Sequence, residues 1–173
     1  MVRRNPVLRP LLFAATVLLA AAGFDRAAAQ DIGLPVGTQV TAVTIEDLDG
    51  NPVDLGRYIG RRPVVLQFWA TWCPLCEELE PSMRAVQQRY GGNVDVLVIA
   101  VGVNQNPRSI RRHLERHSIP GTVLFDAEGA ATRAFKAPAT SYVVVLDRDG
   151  RVAYTGQGGD QDVAGAVSRV AGS

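Results

Sequence analysis

Two residues stand out by type and spacing. Cys73 and Cys76 are the only cysteines in the 173-residue chain, separated by Pro74 and Leu75. Thiols so placed can join in a disulfide or take turns attacking one on another molecule, the thiolate being the attacking species. Residues 74 onward read as the opening of a helix, with Pro74 in the first turn, where a missing N–H costs nothing. Cys73 then falls at the helix N-terminus, whose unpaired N–H groups and macrodipole favour a thiolate over a thiol. The pair is read as an active site in which Cys73, exposed at the helix start, attacks and Cys76 resolves the mixed disulfide. Closing a loop this short gains little unfolded-state entropy, which argues against a purely structural bridge.

The flanking residues must position the pair. Pro63 to Ala70 carries Val64, Val65, Leu66, Phe68 and Trp69, an apolar run suited to a buried strand. Trp72 lies past that strand beside Cys73, open both to surface contact and to packing. The helix is placed at 74–90, with Leu79, Met83, Val86 and Tyr90 on one face, a kink at Pro81 and an end at Gly91-Gly92. Upstream, Val40, Val43 and Ile45 alternate with polar residues, and Asp49-Gly50 with Val53-Asp54-Leu55 beyond it predicts a hairpin. Downstream, the spacing predicts a strand over 94–103, a basic helix over 109–117, a short strand over 122–125 and a helical turn or two over 130–135. A strand over 142–146, a turn at 147–150, a paired strand over 152–155 and a closing helix over 162–170 complete the chain. The predicted class is α/β, with a central mixed sheet flanked by helices on both faces.

Composition narrows the function. Two cysteines exclude both a disulfide-dense scaffold and a four-cysteine zinc site, and a net charge of +1 gives no reason to expect a nucleic-acid partner. Residues 1–29 read as a signal peptide. Arg3, Arg4 and Arg9 form the basic region, Leu11 to Ala22 the apolar region, and Ala27-Ala28-Ala29 the cleavage site. The apolar region is short against the ~20 residues of a spanning helix, and an uncleaved N-terminal membrane anchor is the alternative. Residues 30–173 form the remaining domain. His113 and His117, four apart on a predicted helix, share a face in the company of Arg111, Arg112 and Arg116; a solvated face rather than a zinc site is expected.

The stretch Phe68-Trp69-Ala70-Thr71-Trp72-Cys73-Pro74-Leu75-Cys76, with Pro81 beyond it, resembles the TlpA-like branch of exported thioredoxin-fold thiol–disulfide oxidoreductases. The likeness spans roughly residues 33–172. It takes in the N-terminal β-hairpin, a central helix–strand insertion at 107–126 and Leu146-Asp147-Arg148-Asp149-Gly150. The resemblance implies a thioredoxin-like fold and a periplasmic or otherwise extracytoplasmic enzyme that most readily reduces protein disulfides. It also implies protein disulfide substrates, a membrane-embedded electron donor, a monomer, and no cofactor beyond the Cys73–Cys76 disulfide. Trp72, Pro74 and Leu75 would surround the sulfurs.

Three departures from the family pattern matter. The proline in cis that faces the sulfurs in the family aligns with Ser141, preceded by Thr140, while Pro138 lies three residues early. Either an insertion lets Pro138 serve, or the proline is missing. A cis bond at Ser141 would cost ~3 kcal/mol or more, so a trans bond in a remodelled loop is expected there. Leu79 stands where relatives often carry a glutamate, with Glu78 and Glu80 on either side, and Gln67 stands where thioredoxins keep a buried aspartate. Two other classes of function are compatible with a cysteine pair. A copper-binding chaperone would use Cys73 and Cys76 as soft ligands for Cu(I). A peroxidase-type redoxin would want a proline and a threonine where Leu66 and Ala70 stand.

Overall fold

The computed structural model describes residue 1 and residues 33–172. Apart from Met1, the predicted leader lies outside the described residues. A seven-stranded sheet forms the centre: β1 (Thr44–Glu46), β2 (Pro52–Asp54), β3 (Val64–Trp69), β4 (Asp95–Val101), β5 (Thr122–Asp126), β6 (Tyr142–Leu146) and β7 (Val152–Gln157). Their spatial order is β2-β1-β5-β4-β3-β6-β7. β3, β4 and β5 run parallel, and β6 lies antiparallel against β3. Strands covered on both faces must be apolar throughout, and all six residues of β3 are buried. The sheet is therefore mixed, as its sequence pattern predicts.

Helices α1 (Pro74–Tyr90), α2 (Pro107–Leu114), α3 (Ala130–Ala134) and α4 (Val163–Ala171) cover the two faces. On one face Val65 and Val143 meet Leu79, Met83 and Val86 of α1 and Val163, Ala166 and Val167 of α4. On the other, Leu66, Phe68 and Val144 meet Ile110 of α2 and Ala131 and Phe135 around α3. Each large aliphatic side chain among them contributes about 1.5–3 kcal/mol by leaving water. The stripe Leu79, Met83, Val86 at helical spacing is what docks α1. α1 runs on through Pro81, whose missing N–H leaves one helical carbonyl without its usual donor.

Two hairpins close on matching turns. Asp47 Oδ1 accepts from the N–H groups of Asp49 and Asn51 at 2.8 and 2.9 Å, and Asp147 Oδ1 from those of Asp149 and Arg151 at 3.0 and 2.8 Å. Gly50 and Gly150 sit in these turns with φ of +83° and +79°, where a side chain would be strained. β1 pairs with β2 through Ile45 and Val53, so the predicted N-terminal hairpin is present. Val40 falls outside it, held by its N–H to Gly150 O at 3.2 Å.

The apolar run 94–103 is cut short. β4 ends at Val101, and Gly102-Val103 turn out of the sheet. Gly102 lies so close to Ala127 that an added Cβ would sit 2.3 Å from its carbonyl oxygen. α2 starts two residues earlier than the periodicity predicts, because Asn106 caps it. Asn106 Oδ1 accepts from Ser109 N at 3.0 Å while Ser109 Oγ accepts from Asn106 N at 3.0 Å. Its last turn ends at Leu114, leaving His117 beyond the helix.

Candidate active site

β3 ends at Trp69, and Ala70, Thr71 and Trp72 carry the chain to Cys73 at the helix N-cap. Cys73 has φ −99° and ψ 101°, the extended geometry of a capping residue, and Pro74 takes the first helical position. Cys73 Sγ accepts a hydrogen bond from Cys76 N at 3.1 Å, in the place a serine or aspartate oxygen would fill. Cys73 and Cys76 are joined in a disulfide with Cα atoms 5.3 Å apart.

Cys73 is not exposed, contrary to the expectation from its place in the sequence. It is 3% exposed and Cys76 0%. The cause is the cap itself: the sulfur turns in over the first helical turn, while its neighbours Trp72 and Leu75 project outward at 46% and 43% exposure.

Trp72 is fixed on one side, where its Nε1–H donates to Val103 O at 3.0 Å. Gln105, which the sequence did not mark, holds the same junction. Its Oε1 accepts from Thr71 N at 3.0 Å, and its Nε2–H donates to Val101 O at 2.7 Å. Gln105 thus ties the β4–α2 loop to the segment that delivers Cys73. Only its setting in a polar Asn104-Gln105-Asn106 run after an apolar strand could have drawn notice.

Ser141 stands in the place of the missing proline. Among the described residues no peptide bond is cis, and Ser141 adopts the left-handed region at φ +59°. Such a φ is uncommon outside glycine, so the surroundings must hold it. They do so at every polar atom. Ser141 N–H donates to Phe68 O at 2.8 Å. Its carbonyl accepts from Gln161 Nε2 at 2.9 Å. Its Oγ lies 2.8 Å from Gly158 O and 3.1 Å from Leu75 O, inside the Cys-Pro-Leu-Cys turn. Pro138 does not serve in its stead; with Thr140 it lines a neighbouring groove.

That groove, of about 570 Å3, is predominantly apolar and includes Trp72, the residue before Cys73, in its lining. Trp72, Val103, Gly129, Thr132, Pro138 and Thr140 are among the residues that line it. Asp126, itself 1% exposed, holds the lining residue Thr132 and its neighbour by accepting from Ala131 N, Thr132 N and Thr132 Oγ1 at 3.0, 2.8 and 2.7 Å.

The other two departures have their own surroundings. Leu79 is wholly buried among the α1–α4 contacts. Glu80 pairs with Arg84 at 2.8 Å, and Glu78 lies against Gly159. Gln67 is 2% exposed, and its Nε2 finds no hydrogen-bond partner among the described residues. His113 is not a plain solvated face: its ring stands edge-on to Trp69 at 5.3 Å, and His117 stacks on it at 4.3 Å. Burial pushes the His113 imidazole below its ordinary value, and His117 adds to the fall, while Glu80 and Glu77 oppose it. Among the described residues, no cluster of three or more His, Cys, Asp or Glu is placed to hold a metal ion.

Residues 35–170 match the Redoxin family model. The chain is 27% identical to the thiol-disulfide oxidoreductase ResA of Geobacillus kaustophilus over 139 residues, covering 79% of each chain. A secreted Mycobacterium tuberculosis disulfide oxidoreductase described as homologous to Escherichia coli DsbE superposes with a TM-score of 0.62 at 25% identity, covering 73% of this chain and 95% of that one. A candidate DsbE from Chlorobium tepidum gives a TM-score of 0.70 at 22% identity over 80% of this chain and 99% of that one, a likeness of fold. Together with a cysteine pair at a strand–helix junction, the match over most of its length shows that the chain belongs to the redoxin family, among its TlpA-like thioredoxin-fold thiol–disulfide oxidoreductases.

Proposed function

We propose that the protein reduces disulfides of other proteins outside the cytoplasm by exchange through Cys73-Pro74-Leu75-Cys76. The observation that carries this reading is the Cys73 sulfur at the N-cap of α1, accepting from Cys76 N at 3.1 Å. In the reduced protein the same N–H and the helix terminus stabilise a Cys73 thiolate. That thiolate attacks one sulfur of the substrate disulfide; the other leaves as a thiolate and takes up a proton. Cys76, deprotonated, then attacks Cys73 Sγ, releasing the second substrate sulfur and restoring the Cys73–Cys76 disulfide. Two electrons pass to the substrate, and a donor must return two for the next turnover. A membrane-embedded donor fits a reductant outside the cytoplasm.

The apolar groove lined by Trp72, Pro138 and Thr140 is the surface proposed to receive the substrate chain. Trp72 joins this surface to Cys73, which keeps a small exposed edge. Export is supported by the leader pattern of residues 1–29 and by the secreted relative. Among the described residues no helix is long and apolar enough to cross a membrane.

The test is reduction of insulin by the dithiothreitol-recycled protein, comparing the parent with Cys73→Ser. Loss of catalysed reduction in the variant is expected; full activity without Cys73 would overturn the assignment.

A further inference from the structure

The Leu75–Cys76 peptide unit is bonded at both ends. Its N–H, on Cys76, is shared between Cys73 Sγ and Cys73 O, each at 3.1 Å. Its carbonyl, on Leu75, lies 3.1 Å from Ser141 Oγ. Because a peptide unit is planar and rigid, whatever fixes its C=O also aims its N–H. A donor on the C=O also polarises the unit and strengthens the N–H as a donor, since hydrogen bonds in a chain reinforce one another. We infer that Ser141 is a positioning residue for the exchange reaction: its hydroxyl, through the Leu75–Cys76 peptide, stabilises the thiolate of Cys73. The inference rests on the functional reading above and names a residue outside the dithiol that tunes it.

Three features single out Ser141. It is 0% exposed, so no water competes for its hydroxyl. Its φ of +59° costs conformational energy, which its environment offsets through Phe68 O, Gly158 N and Gln161 Nε2. Its hydroxyl has one proton and two carbonyls in reach. Gly158 O lies at 2.8 Å and Leu75 O at 3.1 Å, so the Ser141 proton is shared between them as a three-centre bond that includes the Leu75 carbonyl. The loop is thereby pinned to the first turn of α1.

The charge being stabilised exists only in the reduced state. Removing the hydroxyl therefore raises the Cys73 thiol pKa and shifts the thiol–disulfide equilibrium toward the disulfide. The test is the pH dependence of Cys73 alkylation by iodoacetamide, read by mass spectrometry in a Cys76→Ala background where Cys73 is the lone thiol. Ser141→Gly deletes the hydroxyl with a residue at ease at this φ, and Ser141→Ala deletes it while keeping Cβ. Both should alkylate about threefold to tenfold more slowly at pH 7, with the titration moved to higher pH. In the two-cysteine protein the reduction potential should fall, by about 30 mV for a tenfold change.

Gln161→Ala is the control. It removes the donor to the Ser141 carbonyl and to Gly158 O but keeps the hydroxyl, and should lower thermal stability while shifting the alkylation profile less than the Ser141 variants do. Ser141 variants that titrate like the parent, or a Gln161 variant shifted as far as they are, would overturn the relay. No protein substrate enters this measurement, so its failure is distinct from inactivity toward insulin.

Discussion

Placing the family's proline at position 141 should damage this protein rather than repair it. Ser141 has φ +59°, and proline fixes φ near −65°, so Ser141→Pro forces the backbone through a rotation of roughly 120°. The substitution also deletes the N–H that donates to Phe68 O at 2.8 Å, at the end of a strand with no exposed residue. Leaving that buried acceptor unpaired costs about 1–3 kcal/mol. Losing the hydroxyl removes a further bond of about 1 kcal/mol to Leu75 O or Gly158 O. Relief of the left-handed φ returns about 1–2 kcal/mol, but the loop must be rebuilt around residues 138–141. These terms sum to a loss of up to about 3 kcal/mol, to which rebuilding the loop adds, out of a total of about 5–15 kcal/mol for a domain of this kind. Urea unfolding of the oxidised protein, followed by tryptophan fluorescence, measures it. A Ser141→Pro variant within about 1 kcal/mol of the parent would refute the reasoning, because the left-handed geometry would then not be essential to the loop.

Gln67→Leu should be neutral or stabilising by about 1 kcal/mol, since it removes a buried amide nitrogen without a partner among the described residues and keeps an apolar shape; a clear loss in urea unfolding would contradict this. Stability should also fall as the solution is acidified from pH 8 to pH 5. The His113 imidazole is held below its ordinary value of 6.5, chiefly by burial, so the unfolded chain binds its proton more readily. Its contribution is complete above about pH 6.5 and is lost as pH drops through the lower folded value. His113→Phe keeps the edge contact to Trp69 and should flatten that dependence, as read from urea midpoints across the range; an unchanged dependence would contradict the assignment.

Features encoded locally were legible in the sequence. Cys-Pro-Leu-Cys, the apolar run ahead of it and the stripe Leu79, Met83, Val86 each encode an element within a few residues, and β3 and α1 form where those patterns place them. The two Asp-x-x-Gly turns are local in the same way. The rest depends on what lies across the fold. Val103 reads as one more strand residue, yet Gly102 must pass close to Ala127, and the strand stops before it. Enclosure of Cys73 arises from the turn of its own sulfur into the helix cap, which residue type alone does not disclose. His113 looks like part of a basic surface until Trp69 is brought beside it. Gln105 and Ser141 act through partners 34 and 66 residues away, Thr71 N and Leu75 O. The absence of a proline at 141 was legible; the serine's left-handed backbone and its bond to the Cys-Pro-Leu-Cys turn were not.

The central claim is that Cys73 and Cys76 form a reducing dithiol. The reduction potential of the pair, equilibrated against glutathione or dithiothreitol and followed through the fluorescence of Trp72, tests it most directly. A reductant of protein disulfides should lie near the ~−270 mV of thioredoxin. A potential near the ~−120 mV of a strong oxidant would contradict the account and make the protein a donor of disulfides instead.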